Sequence, residues 1–483
     1  MDSTSITGHG AMLDNGTFIF PRDTDLTGAD IRDFIVQNDT LANDYKNKMR
    51  MYVGDHDVLH KGWKDRGPDN RLVANLPHYI VDTYNGFFTG IPAKITFDDD
   101  DQVNAELQSW NQANSVQDKI SELSKQVDIY GRSYAFCYMD EEASPSLAFA
   151  APTEAFMIYD DTVAQRPLAF VRYWYSTKQV LNADVYTDNA VYKLTGDTYA
   201  EQAGGNKFGV VPAVEFYANE ERQGVIDNVA TLVNSLDKVL SQKANQIEYF
   251  DNAYLKILGL NADADGDGQP DLDLANDQVI YSGDKDAPNA VIDFIQKPDG
   301  DNMQEHMIDR LVTMIHQIAM VPNLNDEAFG GNASGVALQY KLLSMRNMAS
   351  NKERKFTQSL RQLYRVIFAV EALQVKPEAW QDLHFNFPRN LPANLADEAQ
   401  TASTLSGIVS KKTQLKVLSI VDDPAQELEQ MQEENEKATK QAQEIAGTLP
   451  DYLKYLKEDQ AETAEKPGNE PVDDKAGDDD GKQ

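Results

Sequence analysis

The residues with the sharpest spacing for chemistry lie at Asp263-x-Asp265-x-Asp267-Gly268-x-x-Asp271. Carboxylates at every second position, then a glycine for a sharp turn, are how a calcium loop begins. The last ligand of such a loop should be a bidentate Glu, but Leu274 stands there and Asp273 is one place off. The flanks read as strands and not as the two helices of an EF-hand. The segment therefore reads either as a solvated acidic loop or as a weak Ca2+ or Mg2+ site that stiffens a loop without catalysis.

Histidines offer a second pattern. His56 and His60 stand four apart beside Asp55 and Asp57, a spacing that suits a metal if the segment is helical. No Glu follows the first His and no third ligand is visible, so a hydrogen-bonded structural role is the expectation. His306 and His316 sit among Met and Ile, where packing or capping accounts for them. The glycine-rich GGNASG at 330–335 lacks the Lys and the spacing of a phosphate loop. Gly-x-Ser-x-Gly does not occur, and Cys137 has no His near it in sequence to activate it. Nothing assembles a nucleophile, a base and an oxyanion hole, so no catalytic residue is assigned and no enzyme is expected. Carboxylate pairs brought together only by folding stay open.

Composition sets the bounds for any other function. The 483 residues carry 44 Lys+Arg against 78 Asp+Glu, a net charge of −34, with 41% hydrophobic residues. Such a balance opposes non-specific binding to nucleic acid or to an anionic membrane, both of which are gripped by Lys and Arg. No run of about eighteen apolar residues occurs to span a bilayer. The start, MDSTSITGHG, lacks the basic and apolar parts of a signal peptide. One cysteine excludes an internal disulfide and fits a reducing compartment. The expectation is a soluble, acidic, cytosol-made protein.

Periodicity supplies the elements that must position these residues. Helices are expected over 28–51, 70–88 and 103–129, the last ending before Gly131. Tyr134–Met139, Ala155–Tyr159, Leu168–Tyr175, Val185–Leu194 and Val210–Tyr217 read as short antiparallel strands. From 227 an apolar face built on Val229, Val233, Leu236, Leu240 and Ile247 runs for six turns. Strand-like AYLKILGL and DQVIYSG interrupt at 253–300. A second amphipathic helix follows at 302–320, its stripe carrying Met303, Met307, Leu311, Met314, Ile315 and Ile318. Val321-Pro322 stops it, because proline disfavours helix in the residue before it. After NLNDEAFGGNASG a long helix is expected from about 336 to 373. The part from 394 to 460 reads as helical, with a start at Asp423-Pro424. The last ~20 residues lack apolar anchors and read as a disordered acidic tail. The fold class is α+β, predominantly helical.

Several phrases, in order, resemble the portal proteins of long-tailed bacteriophages. They are MYVGDHDVLH (51–60), NRLVANLPHYIVDTYNGFFTGIPAKITF (70–97), IYGRSYAFCYMDEE (129–142) and ASGVALQYKLLSM (333–345). FNFPRNLPANLADEAQ (385–400) and LSGIVSKKTQLKVLSIVDDPAQELEQMQEE (405–434) complete a collinear match over about 50–435. The acidic loop at 261–275 has no counterpart in this pattern.

The resemblance implies a ring, usually of twelve subunits, at one capsid vertex of the virion, assembled in the host cytoplasm. Implied partners are other copies of the chain, the terminase packaging ATPase, the capsid and scaffolding proteins, the head-tail adaptor and duplex DNA passing without sequence reading. No cofactor is required, and no membrane is involved. Family architecture would make 1–226 the wing, 227–252 and 301–320 the two stem helices, and 253–300 a small α/β clip. The tunnel loop would be 321–335, the long wing helix and return strand 336–393, the helical crown 394–460, and the acidic tail 461–483. In the tunnel loop, Asn323, Asn325, Asp326, Glu327 and Asn332 would touch or repel the DNA backbone, and Gly330, Gly331 and Gly335 would allow the bend. The acidic balance suits such a conduit, since a wall rich in carboxylates has few sites that hold a polyanion.

A helical interaction scaffold without a DNA channel is the alternative, although the β-rich 130–217 region is more than a coiled coil needs. A calcium-dependent hydrolase or adhesin rests on the acidic loop only. Calorimetric titration of calcium into the whole protein tests that loop. Heat with a raised melting temperature marks Asp263, Asp265, Asp267 and Asp271 as ligands, and no heat with unchanged melting marks a solvated loop.

Overall fold

The computed structural model describes every residue except 1–2, 6–8, 64–66, 98–99, 252–254, 259–278, 283–290, 295–300, 325–338, 371–376, 391–394, 419, 422–423, 425–426 and 442–483. The chain divides into two compact units, Met1–Leu391 and Pro392–Gln483. Among the described residues no helix is long and apolar enough to cross a membrane.

The first unit begins with three short strands, β1 (Ser3–Ser5), β2 (Ala11–Leu13) and β3 (Phe18–Phe20), where only helices and polar breaks were expected. Their partners lie far along the chain, which local periodicity cannot register. α1 (Gly28–Tyr52) follows, started by a capping box: the Thr27 hydroxyl accepts from the Asp30 N–H, and the Asp30 carboxylate accepts from the Thr27 N–H.

α2 runs from Leu76 to Thr89, so the expected helix over 70–88 starts six residues late. Asn75 caps it and Pro77 sits in its first turn, while 70–74 stay extended. The expected helix over 103–129 is two, α3 (Asp101–Ala113) and α4 (Val116–Tyr130). The break has a local cause. The buried Asn114 side chain accepts from the Leu147 N–H and donates to the Trp110 carbonyl, and Ser115 turns left-handed at φ 48. Gly131 ends α4 at φ 92, and a Cβ there would lie 1.8 Å from the Arg222 carbonyl oxygen.

Strands follow as β4 (Lys94–Phe97), β5 (Arg132–Met139), β6 (Pro145–Ala150), β7 (Ala155–Asp160) and β8 (Pro167–Tyr175). The expected Val185–Leu194 strand is a hairpin of β9 (Leu181–Tyr186) and β10 (Val191–Thr195), turned by Asp188 and Asn189. β11 (Thr198–Glu201) and β12 (Ala213–Tyr217) complete the region. One eight-stranded sheet has the order β1-β2-β3-β7-β8-β9-β10-β11, and β12-β5-β6 forms a second. β3 joins β7 in parallel, with Phe18 opposite Ile158 and Phe20 opposite Asp160. α1 covers the large sheet through Phe18, Phe34, Phe156 and their neighbours, while Tyr134, Phe136, Met157 and Phe170 fill the space between the sheets.

α5 (Ala230–Asp251) and α6 (Asp301–Ala319) flank a three-stranded sheet of β13 (Leu255–Leu258), β14 (Val279–Ser282) and β15 (Val291–Phe294). α7 (Leu343–Phe368) lies within the long helix expected over 336–373, and β16 (Leu383–Asn386) returns to pair with β4. The main core gathers α2, α4, α7 and the roots of α5 and α6 around Tyr84, Phe88, Phe216, Phe356 and Leu360.

The second unit contains α8 (Leu395–Thr404), α9 (Lys411–Leu415) and helical residues 427–441. The Gln414 amide donates to the Ala402 carbonyl, tying α8 to α9. Asp423, the stretch 442–460 and the acidic tail 461–483 lie outside the described residues.

One ion pair is sealed inside the main core. Lys352 of α7 is fully buried, and its ammonium donates to both carboxylate oxygens of Asp128 on α4 (2.7 Å each) and to the Ser124 hydroxyl (2.8 Å). The rings of Tyr84, Phe88 and Phe356 surround it at 4.8–5.3 Å. Burial lifts the Asp128 carboxyl to about 6 against the pull of Lys352, and burial likewise lowers Lys352. The pair is therefore expensive to desolvate and worse to break. Lys352→Met is expected to lower unfolding free energy by about 3–5 kcal/mol in urea titrations, and the Lys352→Met/Asp128→Leu double variant to recover most of that loss.

Candidate assembly surface

α5 and α6 carry apolar residues that the described residues of the chain leave exposed. The first turns of α5 are rooted in the core through the preceding Val229 and its own Val233 and Leu236, whereas Ile247, four turns on, is 55% exposed. α6 is rooted at its other end by Leu311, Ile315 and Ala319. Between the outer halves the contacts are polar: Lys243 pairs with Glu305, and the Gln304 amide donates to Gln246 (2.9 Å).

The single stripe expected on α6 separates into two. Leu311 and Ile315 face inward, but Met303, Met307, Met314 and Ile318 are open, Met303 at 74% exposure. At about 100° per residue these four share an arc of about 60°, beside the buried arc. A helix with a second apolar arc facing water is an element waiting for a partner.

The end of α6 is built with care. Met320 takes φ +59, and the His316 Nδ1–H donates to the Val321 carbonyl (3.0 Å) while its ring meets Tyr79 edge-on. Burial holds the His316 pKa below 6.5, consistent with a neutral ring that packs and caps. The Tyr79 hydroxyl in turn accepts from the Leu324 N–H (3.0 Å). His306, by contrast, is exposed.

The root of α5 is held by a device that reading its apolar face misses. Residues 70–74 lie extended along the helix, and every second backbone N–H meets a side chain one helical turn further on. The Ala74 N–H donates to Asp237 (2.8 Å), the Leu72 N–H to Ser241 (2.9 Å) and the Asn70 N–H to Asn245 (2.6 Å). The match is metric: two extended residues advance about 6.6 Å and four helical residues about 6 Å. These bonds hold 70–74 against α5, while the Asn75 cap and Pro77, which is tolerated only in a first turn, set where α2 begins. The signal in the sequence is Asp237, Ser241 and Asn245 at a spacing of four, a polar stripe beside the apolar one.

Asp237 also receives His56, and both side chains are fully buried. His56 Nδ1 lies 2.5 Å from the carboxylate and Nε2 lies 2.9 Å from the Met51 carbonyl, so both ring nitrogens face acceptors. Burial would lower its pKa, but Asp237, the Met51 carbonyl and Asn75 outweigh that and raise it. His60 instead meets the Asp55 carboxylate at the surface (2.5 Å). The two histidines thus bond to different carboxylates, and among the described residues no group of three or more His, Cys, Asp and Glu could hold a metal.

Of the residues assigned from sequence to the loop after α6, Asn323 is described and half-buried beside the Leu324–Tyr79 bond. Asn325, Asp326, Glu327, Gly330, Gly331, Asn332 and Gly335 lie outside the described residues, as do Asp263, Asp265, Asp267 and Asp271. Cys137 is buried in β5, which pushes its thiol up to about 12 and leaves no reactive thiolate.

Comparison with known proteins adds independent findings. Residues 32–441 match the family model described as "Phage portal protein, SPP1 Gp6-like". The chain is 24% identical over 443 residues to the portal protein of Bacillus phage SPP1, covering 85% of this chain and 84% of that one. It is 20% identical over 404 residues to the portal protein of Clostridium phage phiCD119, covering 77% and 88%. Among solved structures, a chain in the neck of an empty GTA particle aligns over 77% of this chain at 11% identity, with a TM-score of 0.46.

The His56–Asp237 contact carries a pH signature. The folded state holds the His56 proton more tightly than the unfolded chain does. Its stabilisation is therefore complete below about pH 6.5 and fades as pH rises through the elevated folded value. In urea titrations between pH 6 and 9, the stability lost by His56→Gln relative to the parent is expected to be largest at the acid end and to shrink towards pH 9. A constant difference across that range would contradict a charged ring.

Proposed function

Because the chain belongs to the phage portal protein family, whose model spans residues 32–441, we propose that it assembles into a ring at one capsid vertex of the virion. The ring conducts double-stranded DNA inward during packaging and outward during ejection. It is also the docking place of the terminase ATPase and of the head-tail connector. In this reading α5 and α6 are the stem, β13–β15 belong to the clip, residues 321–335 form the tunnel loop, and α7 is the long helix of the wing. Residues 394–460 form the crown. The chain supplies no catalysis of its own; the driving ATP hydrolysis belongs to the packaging ATPase.

The observation that carries the reading is the open apolar arc of Met303, Met307, Met314 and Ile318. Burying a side chain of this size fully is worth about 1.5–3 kcal/mol. An arc on a helix rooted at one end is covered most economically by the same helix of a neighbouring copy, and rotation by a fixed angle closes such heterologous contacts into a ring. The net charge of −34 fits a wall that lets a polyanion slide past. Electrostatic contact at the tunnel loop needs no base-edge readout.

Purified protein is expected to sediment as a large closed oligomer and to appear in negative stain as rings with a central hole. Met307→Glu/Met314→Glu should yield folded but dissociated chains. Removing 325–332 should leave the rings intact and lower DNA filling of particles. Monomers or rods from the parent chain would defeat the ring, and undiminished filling would defeat the role of the loop.

A further inference from the structure

Acidic residues are missing from one long stretch of this acidic chain. Between Ala328 and Val370 the sole carboxylate is Glu353, in a protein that carries 78. α7 fills most of that stretch, and its six basic residues divide by contact. Lys352 is consumed by Asp128 in the core, and Lys355 by Glu220. Arg346, Arg354, Arg361 and Arg365 remain, and among the described residues none of them has a carboxylate within ion-pair distance. Arg354 turns to Ser350 and Asn351, Arg365 to Gln362, and Arg361 lies over the Phe385 ring. At about 100° and 1.5 Å per residue, the four occupy an arc of about 100° over a length of about 28 Å.

We propose that this arginine seam on the outward face of α7 docks carboxylates of a neighbouring copy of the chain. The inference rests on the ring reading above and deepens it by naming the polar half of the contact. Copies with a charge of −34 repel one another, so approach needs a local region of opposite sign. The seam is such a region, and a second copy brings an excess of carboxylates to it. Its residues are all Arg, whose planar fork binds carboxylates in pairs and holds its charge at any working pH.

The seam also begins beside exposed apolar residues. The Ser344 hydroxyl donates to the Met320 carbonyl, joining the first turn of α7 to the end of α6, and Met320, Leu324, Tyr340 and Leu343 lie exposed around this junction. The exposed apolar residues at this junction thus lie close in the chain to Arg346, the first residue of the seam. Duplex DNA is the competing occupant, but the chain as a whole repels it, and exposed apolar residues beside the start of the seam fit a protein surface.

The test compares three full-length proteins by sedimentation across salt: the parent, Arg354→Gln/Arg361→Gln/Arg365→Gln, and the control Arg22→Gln/Lys178→Gln/Lys207→Gln. The control removes the same charge from exposed positions elsewhere. The seam variant is expected to need about tenfold more protein for half-assembly at 0.1 M salt, with the gap closing near 0.5 M, while the control follows the parent. Near-UV circular dichroism should be nearly the same for all three, since Arg354 and Arg365 are exposed and Arg361 is half-exposed over a single ring. A seam variant that assembles like the parent overturns the proposal, and so does a control shifted as far, which would mark net charge only. Intact assembly with lost binding of a fluorescent duplex overturns it in favour of DNA. A parent that never assembles fails differently, because it removes the ring reading itself.

Discussion

Asp237 is a fully buried carboxylate that anchors two elements at once. It accepts one hydrogen bond from His56 and another from the backbone N–H of Ala74, and its own helix continues the contact with Ser241 and Asn245. A carboxylate without water is tolerable only when donors surround it, and here the donors come from the two segments that embrace the base of α5. The geometry fixes the rotation of α5 about its axis. A turn of one residue would leave the extended backbone of 70–74 without acceptors and bring Asp237 against apolar neighbours. The direction in which the far end of α5 projects therefore follows from interactions at its near end.

That fixed projection explains the contrast along the helix pair. Rooted ends are apolar and closed, while outer ends are held together by Lys243–Glu305 and Gln304–Gln246 with Met303 and Ile247 open. A pair that relied on its own apolar seam would hide that seam. This pair spends polar groups on its mutual contact and leaves methionine, the most adaptable apolar side chain, on the outside. Such an arrangement suits contacts that must form between separately folded chains and then accommodate small rotations.

Much of this was legible in the sequence where the information is local. The start of α1 at Gly28, the end of α4 at Gly131 and the stop of α6 before Val321-Pro322 each depend on a few neighbouring residues. The family phrases did more, because six of them in order specify most of a chain and not one element. What failed to show was long-range. β1–β3 are too short to signal themselves and exist because β7 is there to pair with. The segment 70–74 before α2 is held by side chains more than 160 positions away. The α6 stripe was found, yet its division into a closed and an open arc depends on what packs against it, which periodicity does not encode. The hydrogen-bonded role expected for His56 is the one it has, but its partner Asp237 lies on another helix, where spacing cannot point.

The parallel pairing of β3 with β7 has a consequence for how the molecule is made. During synthesis the first twenty residues leave the ribosome long before residue 160 exists. At about 5–20 residues per second, that separation is on the order of ten seconds. Throughout that interval Phe18 and Phe20, both buried in the finished sheet, have β2 on one side and no strand on the other. The beginning of the chain must remain available while α1 to α4 form, and only the arrival of β7 closes the sheet around it. Nascent chains of this protein thus carry this aromatic strand with one edge unpaired until β7 is made.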